Sequence, residues 1–165
     1  MQINSRKISY YEIFFSWFIS QKLSTFWVAK YFYSTAYDLA QEKLMKSGNS
    51  SENCKGIVEA IMDAELSGIK SHGFHYLPIY CNHLKIGKIK GTAKPSFEKI
   101  SNSSLKINAD NGFAHTAINL GFDSLFNMCS EQGIACMSIY HSYNCGVLGF
   151  HTKRIAEKGF LGLGF

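Results

Sequence analysis

The sequence predicts an α/β protein, in which helices come first and a sheet with further helices follows. Apolar residues recur at three- and four-residue spacing through the first half of the chain, as they do on one face of a helix. Residues 98–107 alternate between apolar and polar side chains, as in a strand. The continuous apolar run at 134–140 lies between two helical patterns, an order typical of α/β proteins.

Two helices are predicted before residue 70. The first covers 35–47, where Ala40 and Leu44 share one face and Gly48 supplies a stop signal. Ser50 can cap the second helix through its side-chain oxygen. The apolar stripe predicted for that second helix consists of Cys54, Ile57, Val58, Ile61, Met62 and Leu66.

The next segment is predicted to turn before it becomes helical again. The second helix should end near 68–70, just ahead of Ser71, His72 and Gly73. Leu77-Pro78 predicts extended or turning chain, because a residue that precedes proline avoids the helical region. Residues 79–86 then predict a short helix that Gly87 closes.

The second half predicts strands that alternate with helices. Two short strands are expected within 98–107, a helix over 115–132, a buried strand at 134–140 and a helix over 150–158. Turn or stop signals separate them at Asn111-Gly112, Gly133 and Gly159. Residues 160–165 predict a last strand, and since the sequence stops within it, we expect the chain to be the front part of a longer protein.

Composition favours a single globular domain and a reducing compartment. Of 165 residues, 46% are hydrophobic and 18% charged, with a net charge of +5. Five cysteines without a CxxC pattern favour reduced thiols and a cytoplasmic location. Cys81 and His83 lack the second pair that a zinc site needs, so no metal is expected. The lysines at 85, 88, 90 and 94 have no interleaved aromatic residues, which favours a solvated face over a nucleic-acid site.

The first 33 residues are rich in aromatic side chains. Glu12, Lys22 and Lys30 interrupt the apolar stretch at 9–34, so no uncharged run reaches the roughly 18 residues of a membrane-spanning helix. A signal peptide is a poor match, because no small-residue cleavage site follows. The favoured interpretation is an additional helix, or sequence translated from upstream of the true start, and an interfacial anchor is the alternative.

Glycines at the end of the chain do not form a dinucleotide-binding fingerprint. Residues 159–164 read GxxGxG, which reverses the order of the Rossmann motif, and no helix follows to receive a pyrophosphate. Turn formation is the simpler explanation. The nucleophile pattern of His141 and Cys145 lacks a third group, so a buried thiol is the simpler interpretation there also.

Ser71-His72-Gly73 is the segment whose residues are best suited to catalysis. At the C-terminal end of a helix the dipole stabilises an imidazolium, the form that a general acid requires. Ser71 could hydrogen-bond the ring and orient it, and Gly73 would let substrate and backbone approach. The alternative is a histidine that only caps the last carbonyls of the helix.

The stretch AELSGIKSHGFHYLPIY (64–80) resembles the signature of the type 2 malate/L-lactate dehydrogenase family. This family also holds ureidoglycolate and sulfolactate dehydrogenases and cyclic-imine reductases. The resemblance continues in register through SGNSSEN, GKIKGTAKPSFEKI, NADNGFAHTAI, GIACMSIYHSYNCGVLGFH and AEKGFLGLGF, over residues 34–165. Three parts follow: an additional aromatic segment (1–33), a helical region with Ser-His-Gly (34–94), and the start of an incomplete sheet-containing cofactor and substrate domain (95–165).

The resemblance implies a fold and an activity. The fold is the non-Rossmann α/β fold of this family, also called L-sulfolactate dehydrogenase-like, here truncated, with a helical N-terminal part followed by a mixed sheet with helices. The activity is hydride transfer between NAD or NADP and a small 2-oxo or 2-hydroxy acid, in a homodimer. The alternatives are reduction of a cyclic imine acid and, from another class, a truncated fragment without catalysis; this fragment alone is expected to be inactive.

The resemblance also implies roles for single residues. His72 is the expected proton donor, with Ser71 as the residue that orients it, and Tyr80 is expected to line the substrate site. Gly146 lies where the family brings backbone near the cofactor. No metal, nucleic acid or membrane is implied.

Two departures from the family pattern bear on the substrate. Tyr76 stands where many members have an arginine that clamps a carboxylate, and it offers one neutral hydrogen bond instead. Asn144 stands where many members have a histidine; it can hold an oxygen but cannot transfer a proton. Both residues are therefore assigned to substrate binding, and the proton is assigned to His72.

Overall fold

The computed structural model describes residues 30–165, and the chain divides into two units between Asp38 and Leu39. The first unit is described only over 30–38, and these residues are helical. The additional aromatic segment predicted for 1–33 therefore lies outside the described residues, except for its last four positions. The second unit covers 39–165, and every element named below belongs to it.

The second unit begins with two predicted helices. Residues 39–46 form α1, on which Ala40 and Leu44 are buried, and Gly48 ends the segment with a left-handed φ of +103°. Helix α2 spans Ser51–Leu66. The Ser50 side chain accepts a hydrogen bond from the Asn53 backbone N–H at 3.3 Å, which confirms the predicted cap.

The chain then makes two 3₁₀ turns before helix α3. The turns are Lys70–His72 and Phe74–Tyr76, and α3 spans Leu77–Lys85. The expectation of extended chain at Leu77 is wrong, since Leu77 has helical dihedrals (φ −55°, ψ −43°) and Pro78 lies in the first turn of α3. Proline is accepted there because the first-turn N–H groups have no intrahelical acceptor.

A three-stranded mixed sheet follows. Strand β1 (Ser96–Ser101) pairs antiparallel with β2 (Ser104–Asn108), and β2 pairs parallel with β3 (Cys136–Tyr140). The spatial order is β1-β2-β3, and α4 (Ala114–Gln132) connects β2 to β3. Gly133 ends α4 with a φ of +78°. Helix α5 (Leu148–Ala156) is the last element.

Three predictions about burial or extension are wrong. Leu66 is 73% exposed, because it lies in the last turn of α2 at the edge of the stripe. Strand β3 is only half-buried, since it lies at an edge of the sheet and its alternate residues are exposed. Residues 160–165 are not a strand; they pair with no other strand of the described chain, and Leu161 and Leu163 are exposed.

Helix α4 connects the helical part with the sheet. It contacts α2 and also packs on β2 and β3. Ile107 and Ala109 form a core cluster with Ala117 of α4. Residues 39–165 are thus one compact unit that contains most of both parts predicted for 34–94 and 95–165, and the boundary at 94 stays a prediction. Among residues 30–165, no helix has the length and apolar character needed to cross a bilayer.

Candidate active site

Glu65, at the end of α2, holds the segment that carries His72. Its carboxylate accepts a hydrogen bond from the Phe74 N–H at 3.1 Å and lies 3.6 Å from the Lys70 ammonium. A Cβ added to Gly73 would collide with this carboxylate. Gly73 therefore allows the backbone and side chain of Glu65 to approach closely, and the approach of a substrate there stays a prediction.

His72 lies beyond the helix that was predicted to polarise it. Helix α2 ends at Leu66, whereas His72 closes the 3₁₀ turn Lys70–His72. The influence of a helix dipole is confined to the last turn, so it does not account for a charge on this ring. The capping alternative is also wrong, because backbone N–H groups satisfy the last carbonyls of α2.

The Ser71 hydroxyl orients the His72 ring, as the sequence predicts. Ser71 Oγ lies 3.0 Å from His72 Nδ1, and the ring is exposed. The ring planes of His72 and Tyr76 are nearly parallel, 11° apart, with centroids separated by 6.2 Å. This bond occupies Nδ1 and leaves Nε2 as the nitrogen that could meet a substrate atom.

The three predicted substrate-binding residues lie together, next to His72. Tyr76 packs edge-on against Tyr80, with ring centroids 4.7 Å apart. The Tyr80 hydroxyl donates a hydrogen bond to Asn144 Oδ1 at 3.1 Å. Tyr80 is fully buried, and this burial raises the pKa of its phenol, which therefore stays protonated and remains a donor. Asn144 keeps its amide N–H groups for another acceptor.

Sequence reasoning missed three aromatic residues of this cluster. Phe113 packs edge-on against Tyr80 at 5.3 Å, and Tyr143 does so at 6.1 Å. His83 Nδ1 lies 2.6 Å from the Tyr143 hydroxyl oxygen. The spacing of Tyr80 and His83 on α3 places them on one helix face and could have indicated His83. Tyr143 lies 60 residues away, and no local pattern connects it to His83.

Gly146 lies two residues after Asn144 and two residues before the start of α5. Its φ of +68° is left-handed, and a Cβ there would lie 3.2 Å from His115 Nε2. His115 is fully buried, and neither ring nitrogen has a hydrogen-bond partner among residues 30–165. This burial lowers the pKa of His115 to about 3, so the ring is neutral. His151 Nε2, on α5, donates to the Cys145 carbonyl at 2.8 Å and so fixes the preceding residue.

The surroundings of Gly146 fit a nicotinamide dinucleotide in part. Within residues 30–165 its N–H makes no backbone hydrogen bond, and it precedes the N-terminus of α5, where anionic groups are stabilised. The neutral His115 ring beside Gly146 adds no negative charge that would repel a phosphate group. No set of three metal-ligating side chains occurs in the described part of the chain.

The lysine stripe does not form a separate binding site. The Lys90 ammonium lies 2.7 Å from the Asp110 carboxylate, and the Lys94 N–H donates to that carboxylate as well. The ammonium holds the pKa of Asp110 below its usual range. Lys88 is different, because its Nζ lies 5.9 Å from the centroid of the Tyr143 ring.

Comparison with known proteins identifies the relatives of this chain. The family model described as malate/L-lactate dehydrogenase matches residues 32–165. Delta(1)-pyrroline-2-carboxylate reductase 1 from Burkholderia ambifaria is 30% identical over 125 residues, which cover 76% of this chain and 37% of that protein. A (2R)-3-sulfolactate dehydrogenase (NADP(+)) from Chromohalobacter salexigens is 31% identical over 106 residues, which cover 64% and 32%.

A solved structure confirms the predicted fold. Malate dehydrogenase from Entamoeba histolytica superposes with a TM-score of 0.71 at 24% identity, over 77% of this chain and 36% of that one. The described unit is thus part of the non-Rossmann fold that the sequence predicts. The chain spans about a third of the length of the curated relatives that it matches.

Proposed function

The chain belongs to the malate/L-lactate dehydrogenase family, and from that premise we propose that the full-length protein is an NAD- or NADP-dependent oxidoreductase. Its substrate is a small 2-oxo acid or the corresponding 2-hydroxy acid. The observation that carries this proposal is the arrangement of His72, oriented by Ser71, beside the Tyr76–Tyr80–Asn144 cluster.

In this reaction His72 supplies the proton. A nicotinamide cofactor, held near the Gly146 backbone, would supply the hydride for the carbonyl carbon. His72 Nε2 gives its proton to the carbonyl oxygen as negative charge develops there. Ser71 keeps Nδ1 engaged at 3.0 Å and thereby fixes the direction in which Nε2 points. In the oxidative direction the same nitrogen accepts the proton of the 2-hydroxy group.

Tyr76, Tyr80 and Asn144 bind and orient the substrate in this proposal. Because Tyr80 donates to Asn144 Oδ1, the amide of Asn144 is fixed with its N–H groups directed away from Tyr80. Those N–H groups can then donate to a substrate oxygen. The Tyr76 ring packs against the rings of both His72 and Tyr80. Gly146 is proposed to bring its backbone N–H near the cofactor.

Reduction of a cyclic imine acid is the second candidate. The rings of Tyr76, Tyr80 and Tyr143 pack edge-on in one aromatic cluster, and aromatic side chains suit a flat five- or six-membered ring. The pyrroline-2-carboxylate reductase from Burkholderia ambifaria, at 30% identity, favours the same candidate. Here His72 would protonate the imine nitrogen instead of a carbonyl oxygen.

Turnover by the full-length protein tests the proposal. Oxidation of NADH and NADPH should be measured with pyruvate, with oxaloacetate, and with five- and six-membered cyclic imine acids. His72→Ala should lower kcat by about 10²- to 10⁴-fold, the usual contribution of a general acid. His75→Ala, at an exposed histidine of the neighbouring turn, is the matched control and should keep wild-type turnover. Near-wild-type turnover of His72→Ala would refute the assignment.

The proposal also covers the oligomeric state of the protein, its location in the cell and the inactivity of the 165-residue chain alone. We expect the full-length protein to be a homodimer. The His72→Ala variant should keep the subunit contacts, so analytical ultracentrifugation should give the same sedimentation coefficient for the variant and the wild type. The odd number of cysteines supports a cytoplasmic location. The 165-residue chain alone is expected to show no turnover, because it spans about a third of the length of its relatives.

A further inference from the structure

His83 and Tyr143 form a pair for which the proposed reaction has no role so far. The Tyr143 hydroxyl oxygen lies 2.6 Å from His83 Nδ1, and the two rings pack edge-on at 5.5 Å. The two residues come from different elements, His83 from α3 and Tyr143 from the loop between β3 and α5. A hydrogen bond this short, between residues 60 positions apart, fixes that loop against α3.

Tyr143 is surrounded by residues assigned to the substrate. Its ring contacts Tyr80 edge-on at 6.1 Å, and it directly precedes Asn144 in the chain. Burial, together with the neighbouring Tyr76 hydroxyl, raises the pKa of Tyr143 to about 12, so the Tyr143 hydroxyl keeps its proton at neutral pH and remains a donor. The Lys88 ammonium lies 5.9 Å from the ring centroid and adds positive charge on this side of the cluster.

We propose that Tyr143, oriented by His83, binds the carboxylate of the substrate. This inference rests on the proposed function, because it assumes an anionic 2-oxo or imine acid. The cluster contains no arginine, so a tyrosine hydroxyl and the nearby Lys88 take over the recognition of the negative charge. Tyr143 would touch the substrate directly, whereas His83 is a positioning residue that acts through Tyr143.

The hydrogen on His83 Nδ1 sets the direction of the hydrogen bond. When Nδ1 carries a hydrogen, it donates to the Tyr143 oxygen, and the Tyr143 hydroxyl can then donate to the carboxylate. A bare Nδ1 would instead accept the Tyr143 proton, and lone pairs would then face the carboxylate. Carboxylate binding by Tyr143 therefore requires His83 to act as the donor.

Tyr143→Phe in the full-length protein tests the carboxylate contact. This variant keeps the ring and removes the hydroxyl. The KM for the 2-oxo acid should rise by about tenfold to a hundredfold, the value of one hydrogen bond to a charged group, with kcat changed little. The KM for the corresponding 2-oxo amide, which has no charge, should change much less. Tyr140→Phe is the matched control, since exposed Tyr140 packs on His141 without belonging to the cluster.

His83→Ala tests the positioning role, and His83→Gln is its conservative counterpart, since a glutamine amide can also donate to the Tyr143 oxygen. We expect the KM for the 2-oxo acid to rise in His83→Ala and to return toward the wild-type value in His83→Gln, with kcat changed little in both. Equal effects of Tyr143→Phe on the acid and the amide would overturn the inference, and so would a wild-type KM in His83→Ala. Absence of wild-type turnover with every acid, by contrast, would refute the proposed function itself.

Discussion

Gly91 lies where the loop after α3 passes against the turn that precedes α2. Its carbonyl accepts hydrogen bonds from the Ser50 N–H at 3.0 Å and from Asn53 Nδ2 at 2.9 Å. A Cβ on Gly91 would overlap the carbonyl oxygen of Gly48, a backbone atom that cannot rotate away. Glycine is therefore required here by close backbone approach, and its φ plays no part.

Gly91→Ala should destabilise the protein by about 1–3 kcal/mol, because the two backbone segments must separate. Urea denaturation followed by circular dichroism measures this change. Gly149→Ala is the control, since its Cβ would meet only Val147 at an ordinary 3.7 Å within α5. That variant should be as stable as the wild type or slightly more stable, because alanine favours the helix. Equal losses in both variants would contradict the steric explanation.

His115 makes stability depend on pH in the acid range. An imidazole in the unfolded chain titrates near 6.5, whereas burial lowers the pKa of His115 in the folded state to about 3. The unfolded chain therefore binds more protons between these values, and stability falls as the pH falls through this range. The slope is at most about 1.4 kcal/mol per pH unit for one histidine.

His115→Phe keeps a ring in this space and removes the titration. Its free energy of unfolding should fall less than that of the wild type between about pH 6.5 and pH 4.5. His151 retains part of the dependence, because burial lowers its pKa as well. Ile134→Phe, at an exposed position that does not titrate, should leave the wild-type slope unchanged. Parallel pH curves for His115→Phe and the wild type would contradict this account.

How much of the site the sequence predicts depends on the distance between its residues along the chain. Ser71 and His72 are adjacent, so their hydrogen bond could be expected. Tyr80 and Asn144 were each assigned to the substrate by resemblance, but their contact across 64 residues depends on the fold. No sequence pattern indicates that Tyr143 lies against His83. One residue is on a helix and the other in a distant loop, and a hydrogen bond between two such side chains leaves no periodicity in the sequence.

Helix α2 is held at its N-terminus by a buried asparagine. Asn53 Nδ2 donates to the carbonyls of Gly91 and Ala93, both at 2.9 Å, and the residue is 5% exposed. These two bonds connect α2 to the segment that precedes β1. Since a buried carbonyl left without a donor loses free energy, the amide of Asn53 stabilises the connection beyond its own helix.

Asn53→Asp should destabilise the protein more than Asn53→Ala. Alanine leaves the Ala93 carbonyl without its donor, at a cost of about 1–3 kcal/mol, whereas the Gly91 carbonyl keeps the Ser50 N–H. Aspartate also buries a carboxylate against those carbonyl oxygens, and burial of an unpaired charge costs more. Chemical denaturation near pH 7 gives the order of the free energies of unfolding. Glu52→Gln, in the same turn but exposed, is the control, and its free energy of unfolding should change little. An Asn53→Asp protein as stable as Asn53→Ala would contradict the argument.

Elements with local signals were predicted well, and those set by long-range contacts were not. Helices α2 and α4 carry their own caps and stops, in Ser50 and Gly133, and the structure confirms both. The exposure of β3 depends on which strands and helices lie beside it, which a continuous apolar run does not reveal. The prediction of a strand at 160–165 is wrong for the same reason, since a strand forms only when it pairs with another strand.

Helix α4 makes the helical part and the sheet one body, and Gly56 lets α2 approach it. A Cβ on Gly56 would lie 2.8 Å from Asn119 Nδ2 and 3.2 Å from His115 Cβ, both on α4. On the other side of α4, a Cβ on Gly121 would overlap the ends of Ile107 and Met137. The two glycines thus allow α4 to pack closely against α2 and against the sheet. Cooperative unfolding of residues 39–165 should depend on these contacts.

Gly56→Leu should therefore lower the stability of the whole unit. A leucine there has to push α4 away from α2, and overpacking typically costs about 1–3 kcal/mol. Lys55→Leu adds the same side chain one position earlier, on the exposed face of α2, and should leave the unfolding midpoint nearly unchanged. Far-UV and near-UV circular dichroism should give one coincident transition in the wild type and in both variants. Two separate transitions in the wild type would instead mean that the helical part and the sheet unfold independently, as a domain boundary near residue 94 would require.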